Sequence, residues 1–189
     1  MELKIGVIVG TTRPNRISRK IADWFMETMK DQKGLQFKII DLAEVNLPMY
    51  DEPMSPIMGK YENEHSKQWS KTISQYDGFV LVTAEYNYAY PASLKNAIDY
   101  LYHEWVRKPV AYVSYGTLGG ARAVEQLRQV AVATEMAPLK ASLAIREPWN
   151  AFDDDDQLRE GYLAGSPEAF ADNLRWWGQA LKTARHKTA

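Results

Sequence analysis

The chain has 189 residues, 46% hydrophobic and 25% charged, with a formal net charge of −1 from 23 basic and 24 acidic side chains, the balance of a water-exposed globular protein expected to form a single domain over residues 1–189. Near-neutrality leaves no basic field for nucleic acid, and the absence of cysteine excludes disulfide scaffolding, thiolate catalysis and iron–sulfur ligation. No apolar run approaches membrane-spanning length and no basic-then-apolar leader follows Met1, so a cytoplasmic protein with no membrane partner is expected.

Residues 3–9 (LKIGVIV) form an apolar, β-branched run ending at Gly10 and read as a buried strand. From Ile17 the period becomes helical, with Ile21, Trp24, Phe25, Thr28 and Met29 on the same face. Gly34 closes that helix, and residues 35–42 (LQFKIIDL) read as a second strand. The segment 46–63 holds three prolines and reads as a loop. Trp69, Ile73 and Tyr76 mark a helix before the third strand, 78–83 (GFVLVT). Leu94, Ala97, Ile98 and Leu101 share the next helical face, which His103-Glu104-Trp105 is expected to close. A fourth strand covers 109–114 (PVAYVS), a helix carries Val124, Leu127 and Ala131, and 139–143 reads as a weaker fifth strand. The segment 147–165 is a second loop, whose run Asp153 to Asp156 reads as a solvated turn because adjacent flexible carboxylates are not preorganised for a metal. Ser166-Pro167-Glu168 opens a last helix with a stripe of Phe170, Leu174, Trp177 and Leu181.

Strands alternate with helices, and the strands are apolar on both faces, which predicts an α/β three-layer sandwich around a five-stranded, doubly wound parallel sheet. In the order 2-1-3-4-5 the strand order reverses between strands 1 and 3, so a ligand crevice opens beyond their carboxyl ends, lined by the loops after strands 1, 3 and 4.

Those loops have the least generic composition in the chain. Between Gly10 and Ser18 stand hydroxyls, Arg13 and Arg16, and the N–H groups of a helix start, a set suited to a terminal phosphate. The same residues also suit a polar turn capped by Ser18, and they match neither the dinucleotide glycine motif nor an NTP-binding P-loop. After strand 3, Tyr86, Tyr88 and Tyr90 flank Asn87; they suit either walls for a flat aromatic ligand or a loop packed on itself or on a partner subunit. After strand 4, Gly116, Gly119 and Gly120 permit close approach of backbone to a ligand, or make an ordinary turn. The three histidines, His65, His103 and His186, are scattered, and no metal site is expected.

Four segments carry a resemblance. Gly10-Thr11-Thr12-Arg13 fits a G-[ST]-x-R pattern, Glu85-Tyr86-Asn87 the end of P-E-Y-N, residues 91–99 the pattern P-x-x-L-K-N-A-I-D, and Gly119-Gly120-Ala121-Arg122 the pattern G-G-x-R. Over residues 3–135 the chain resembles the NAD(P)H-dependent FMN reductases, with their related quinone, azo-dye and chromate reductases of flavodoxin-like fold. Ala84 departs from the family's proline, and Asn15 and Arg16 lie outside any fixed pattern. The resemblance implies that Thr11, Arg13, Arg16 and Ser18 hold the FMN phosphate, that Glu85, Tyr86 and Asn87 lie along the isoalloxazine beside Tyr115 and Gly116, and that Gly119, Gly120 and Arg122 sit near flavin and incoming NADPH or NADH. It implies hydride transfer through flavin N5 to a small-molecule acceptor in a ping-pong cycle, no catalytic side chain, and a homodimer or homotetramer. A flavodoxin-type electron carrier is the alternative; near-neutral charge and the arginines of the first and third loops argue against it. A receiver-type signalling domain needs acidic residues after strand 1 and an aspartate after strand 3, where this chain has Gly10 and Ala84-Glu85.

Overall fold

In the computed structural model, which describes residues 2–187, β1 (Leu3–Val9), β2 (Leu35–Asp41), β3 (Gly78–Ala84), β4 (Pro109–Gly116) and β5 (Ala137–Arg146) pair in parallel in the order β2-β1-β3-β4-β5. The sheet has a sixth strand where five were expected: β6 (Leu163–Ala164) lies antiparallel to β5, opposite Ile145 and Ala144. Two residues are too few to show a periodicity, and β6 forms because the chain returns along the open edge of β5 and covers part of it.

Period-two alternation sends side chains to both faces. Val7 and Val9 of β1, Val80 and Val82 of β3, and Ala111 and Val113 of β4 meet α1 (Ser18–Met29) through Ile21, Phe25 and Met29, and α6 (Pro167–Lys187) through Phe170 and Leu174. Ile8, Phe79, Leu81, Val110 and Tyr112 face the other layer: α3 (Glu64–Ser74), α4 (Ala92–Asp99) and α5 (Ala121–Ala133), through Trp69, Ile73, Leu94, Ile98 and Leu127. A one-turn helix, α2 (Leu42–Val45), follows β2 and is capped by the Asp41 side chain.

Three details depart from the sequence reading. The buried stripe of α6 runs through Phe170, Ala171, Leu174 and Gly178, while Trp177 is exposed. The reason is close approach: a Cβ on Gly178 would lie 2.5 Å from Leu3 Cδ1, so the helix touches the sheet at its glycine and turns its tryptophans outward. Second, α4 ends at Asp99, and His103-Glu104-Trp105 lies in the turns beyond it. There the His103 Nε2 donates to the Ile57 carbonyl at 2.9 Å, Glu104 accepts from the Tyr61 hydroxyl at 2.9 Å, and buried Trp105 donates its indole N–H to Ile98 O at 3.1 Å. Third, β5 is longer than its apolar centre, with a register irregularity opposite Val110 and Tyr112 that the pattern around Pro138 conceals.

The acidic run closes on itself: the Asp153 carboxylate accepts from the N–H groups of Asp155 and Gln157, and Asp156 pairs with Lys20. Among the described residues no group of three or more histidine or acidic side chains is arranged to hold a metal ion, and no helix is long and apolar enough to cross a membrane.

Candidate active site

The strand order reverses between β1 and β3, and the loops leaving β1, β3 and β4 meet at that edge. They surround a cavity of about 270 Å³. Arg13, Asn15, Arg16 and Ile17 come from the first loop, Ala84, Glu85 and Tyr86 from the second, and Tyr115 and Gly116 from the end of β4. Pro148 and Trp149, from the loop after β5, complete the wall.

The first loop carries two unlike arginines. Arg13 is exposed and makes no hydrogen bond or ion pair among the described residues. Arg16 is tethered: its Nη2 donates to Asp41 Oδ2 at 2.6 Å, and that carboxylate, nearly sealed from water, also accepts the Ala43 N–H at 3.0 Å and has Arg19 Nη1 at 3.7 Å. The Arg16 Nε is buried and has no protein partner. A buried donor without an acceptor is costly, so an orphaned N–H on the wall of a cavity marks a place where an external acceptor would be favoured. The start of α1 adds to this: no acidic side chain stands in its first turn and no side chain caps it, leaving the positive end of the helix undimmed. Beneath the loop, Thr11 and Ser18 are fully buried and their hydroxyls bond to each other. Burial pushes the Tyr115 phenol up, against the pull of hydrogen bonding to Thr11 and Ser18 and of the Arg13 charge.

The second loop is a tight hairpin. Tyr86 N–H donates to Ala89 O at 2.8 Å and Ala89 N–H to Tyr86 O at 3.0 Å, with Asn87 at φ 50° and Tyr88 at φ 71° between them. Two successive left-handed residues make the turn that suits the twist of flanking strands. Asparagine tolerates that conformation; for Tyr88 it costs about 1–2 kcal/mol. Contacts hold it there: Gln126 Nε2 donates to Tyr88 O at 2.8 Å, and the Arg122 guanidinium lies 4.2 Å from the centre of the Tyr88 ring. Glu85 is mostly buried and doubly engaged with Arg122, accepting its backbone N–H at 3.0 Å and its Nη1 at 2.7 Å. A carboxylate at the start of α5 also offsets the helix dipole.

The third loop turns on glycine. Gly119 and Gly120 have φ of 71° and 78°, and a Cβ on Gly120 would lie 2.9 Å from both Tyr115 N and Ser114 Cβ. Ser114 Oγ donates to Gly119 O at 2.6 Å. The glycines thus let this chain fold close upon itself.

Of the residues expected from sequence, Arg13, Arg16, Glu85, Tyr86, Tyr115 and Gly116 line the one cavity. Thr11 and Ser18 lie beneath it, Asn87 forms the hairpin tip, and Gly119, Gly120 and Arg122 stand behind, joined to it through Glu85. Sequence reasoning missed Pro148 and Trp149 because it took only the loops after strands 1, 3 and 4; a tryptophan in the polar stretch Glu147-Pro148-Trp149-Asn150 was the available signal.

A parallel sheet in this order, with an anion-receptive loop and an aromatic slot at its switch point, defines a flavodoxin-like flavoprotein. The sequence profile of the NADPH-dependent FMN reductases matches residues 3–150, and the chain belongs to that family. It is 41% identical over 188 residues to an NAD(P)H-dependent FMN reductase of Nectria sp, covering 95% of this chain and 89% of that one. It is 31% identical to a quinone reductase of Pseudomonas putida over 89% of this chain and 82% of the other. Among solved structures, the flavoenzyme NAD(P)H:(acceptor) oxidoreductase of Paracoccus denitrificans shares the fold, with a TM-score of 0.68 at 21% identity over 95% of this chain and 94% of that one.

Proposed function

We propose that the chain binds FMN at the β1/β3 rim and passes two electrons from NADPH or NADH to a small acceptor of the quinone, flavin, azo or chromate type. The observation that carries this is the single cavity lined together by an unpaired Arg13, by Arg16 with its unpartnered Nε, and by Tyr86 and Tyr115. These residues fit a phosphate joined to a flat ring. Arg13, Arg16 Nε and the first N–H groups of α1 would hold the phosphate. Thr11 and Ser18, bonded to each other below, would keep the loop in shape and engage the Tyr115 hydroxyl of the cavity wall. Tyr86, Asn87 and Gly116 would border the ring, and Glu85 would set the hairpin by its grip on Arg122, beside the Gly119-Gly120 turn where nicotinamide would enter.

FMN, when bound, supplies the hydride relay, accepting from the nicotinamide and yielding to the acceptor in turn. For a quinone the balance is NAD(P)H plus quinone plus one proton giving NAD(P)+ plus hydroquinone. The chain's own part is to bind and orient both partners and to keep water from the ring; no side chain is required as nucleophile or obligatory base. We further propose a cytoplasmic homodimer or homotetramer. The cluster of exposed apolar side chains at Met49, Met54, Ile57 and Met58 supports association, which sedimentation would measure.

The test is a visible titration of the protein with FMN, followed by NADPH without oxygen. Saturable flavin binding and bleaching of the bound flavin are expected; absence of flavin binding refutes the reading. Turnover with a small quinone and no protein partner separates the reductase from an electron carrier.

A further inference from the structure

We propose that Trp149 is an acceptor-selecting wall of this cavity, favouring flat aromatic acceptors over compact inorganic ones. The inference rests on the FMN-dependent reduction proposed above and adds a residue and a selectivity to it.

Trp149 lines the cavity with Tyr86 and Tyr115, yet it is 62% exposed. Its exposure does not come from a loose backbone. The Glu147 N–H donates to Gly116 O at 3.0 Å, and the Asn150 N–H donates to Glu147 O at 2.8 Å, closing a turn around residues 147–150. Pro148 before the indole is buried, and Ala151 and Phe152 after it belong to the core beside α1. The turn is therefore fastened to the cavity wall on one side and to the core on the other, and it presents the indole at the rim.

Among the described residues no hydrogen bond or ring contact claims that indole. Trp69 and Trp105 are buried, with their N–H groups donated to Ala97 O at 2.8 Å and Ile98 O at 3.1 Å. Trp176 and Trp177 pack edge-to-face on each other. Trp149 makes no hydrogen bond and no ring–ring contact among the described residues. A large apolar surface held rigidly at the mouth of a cavity, uncovered by its own fold, is a place where a ligand gains by burial and ring contact.

The indole, and not the charge of the site, sets which ligand gains. Glu85, the carboxylate on the wall, is neutralised by Arg122, so the open side of the cavity has no free acid to repel or orient an acceptor. A flat ring gains contact with the indole, whereas a small hydrated anion such as ferricyanide or chromate has no π-face to offer it. Trp149 comes from the loop after β5 and shares the cavity with Arg13 and Arg16, so every variant is assayed with FMN at saturation.

The test compares wild type, Trp149→Ala and Trp149→Phe as FMN-loaded enzymes. Three quantities are measured: FMN affinity by fluorescence titration, calorimetric binding of 7-hydroxycoumarin as a non-reducible flat ring, and steady-state KM and kcat with a naphthoquinone and with ferricyanide. In Trp149→Ala at saturating FMN, coumarin binding is expected to weaken and the ratio of naphthoquinone KM to ferricyanide KM to rise by about tenfold, with FMN affinity read separately because Trp149 also borders the flavin cavity. Trp149→Phe restores most of the loss. Equal shifts for both acceptors, or unchanged coumarin binding, overturn the assignment. A wild-type protein that binds FMN and oxidises NADPH but shows this insensitivity overturns Trp149 alone; a wild type that binds no FMN overturns the functional reading and the role of Trp149 with it.

Discussion

Arg13→Ala separates cofactor binding from folding more cleanly than any other change at this rim. The side chain is exposed, lines the cavity and has no protein partner among the described residues, so its loss breaks nothing in the fold and is expected to change stability by less than about 0.5 kcal/mol. A guanidinium hydrogen bond to a phosphate contributes about 1.5–3 kcal/mol, which corresponds to an FMN affinity lower by about 10- to 150-fold. The assay is quenching of FMN fluorescence on titration with protein, paired with a thermal melt of each apoprotein. Because the lost interaction is between charges near the surface, the gap between wild type and variant should narrow as salt rises. An FMN affinity within twofold of wild type, with an unchanged Tm, refutes the placement of the phosphate at Arg13.

Arg16→Ala is expected to lose FMN affinity too, but unlike Arg13→Ala it should also lower stability. It strands the buried Asp41 carboxylate, with only the Ala43 N–H and the more distant Arg19 left, and should cost about 3 kcal/mol in a urea melt; stability equal to wild type would contradict it. Lys108 is buried against the Phe79 ring, with its Nζ donating to Ile73 O at 3.3 Å; burial, reinforced by Arg185, lowers its pKa to about 8. The folded chain therefore releases this proton before the unfolded chain does, so the penalty is full below pH 8 and fades as pH rises from about 8 to the ordinary lysine value of 10.5. Lys108→Met should raise stability at pH 7 by up to about 3 kcal/mol and flatten the rise above pH 8, which denaturant melts across that range would measure. Gly120→Ala places a Cβ 2.9 Å from Tyr115 N in a left-handed turn and is expected to destabilise by about 2–4 kcal/mol; a Tm within a degree of wild type would count against the turn as described.

The residue pattern alone was enough to read the parallel α/β sandwich. The apolar runs at β1, β3 and β4 and the helical stripes of α1, α4 and α5 are local periodicities, set by which side chains must leave water. The meeting of Arg13 with Tyr86 and Tyr115 was also legible, because strand order obliges the loops after strands 1, 3 and 4 to share one rim. Tertiary structure decided what those residues do there. It tied Arg16 to Asp41 across 25 positions and Glu85 to Arg122 across 37, leaving Arg13 as the unpaired arginine of the first loop. It turned Trp177 outward because Gly178 meets Leu3, and it brought Trp149 to the cavity from beyond β5. Periodicity reports the face a residue takes within its own element; the partner it meets depends on register and close approach between elements distant in the chain, which no local pattern encodes.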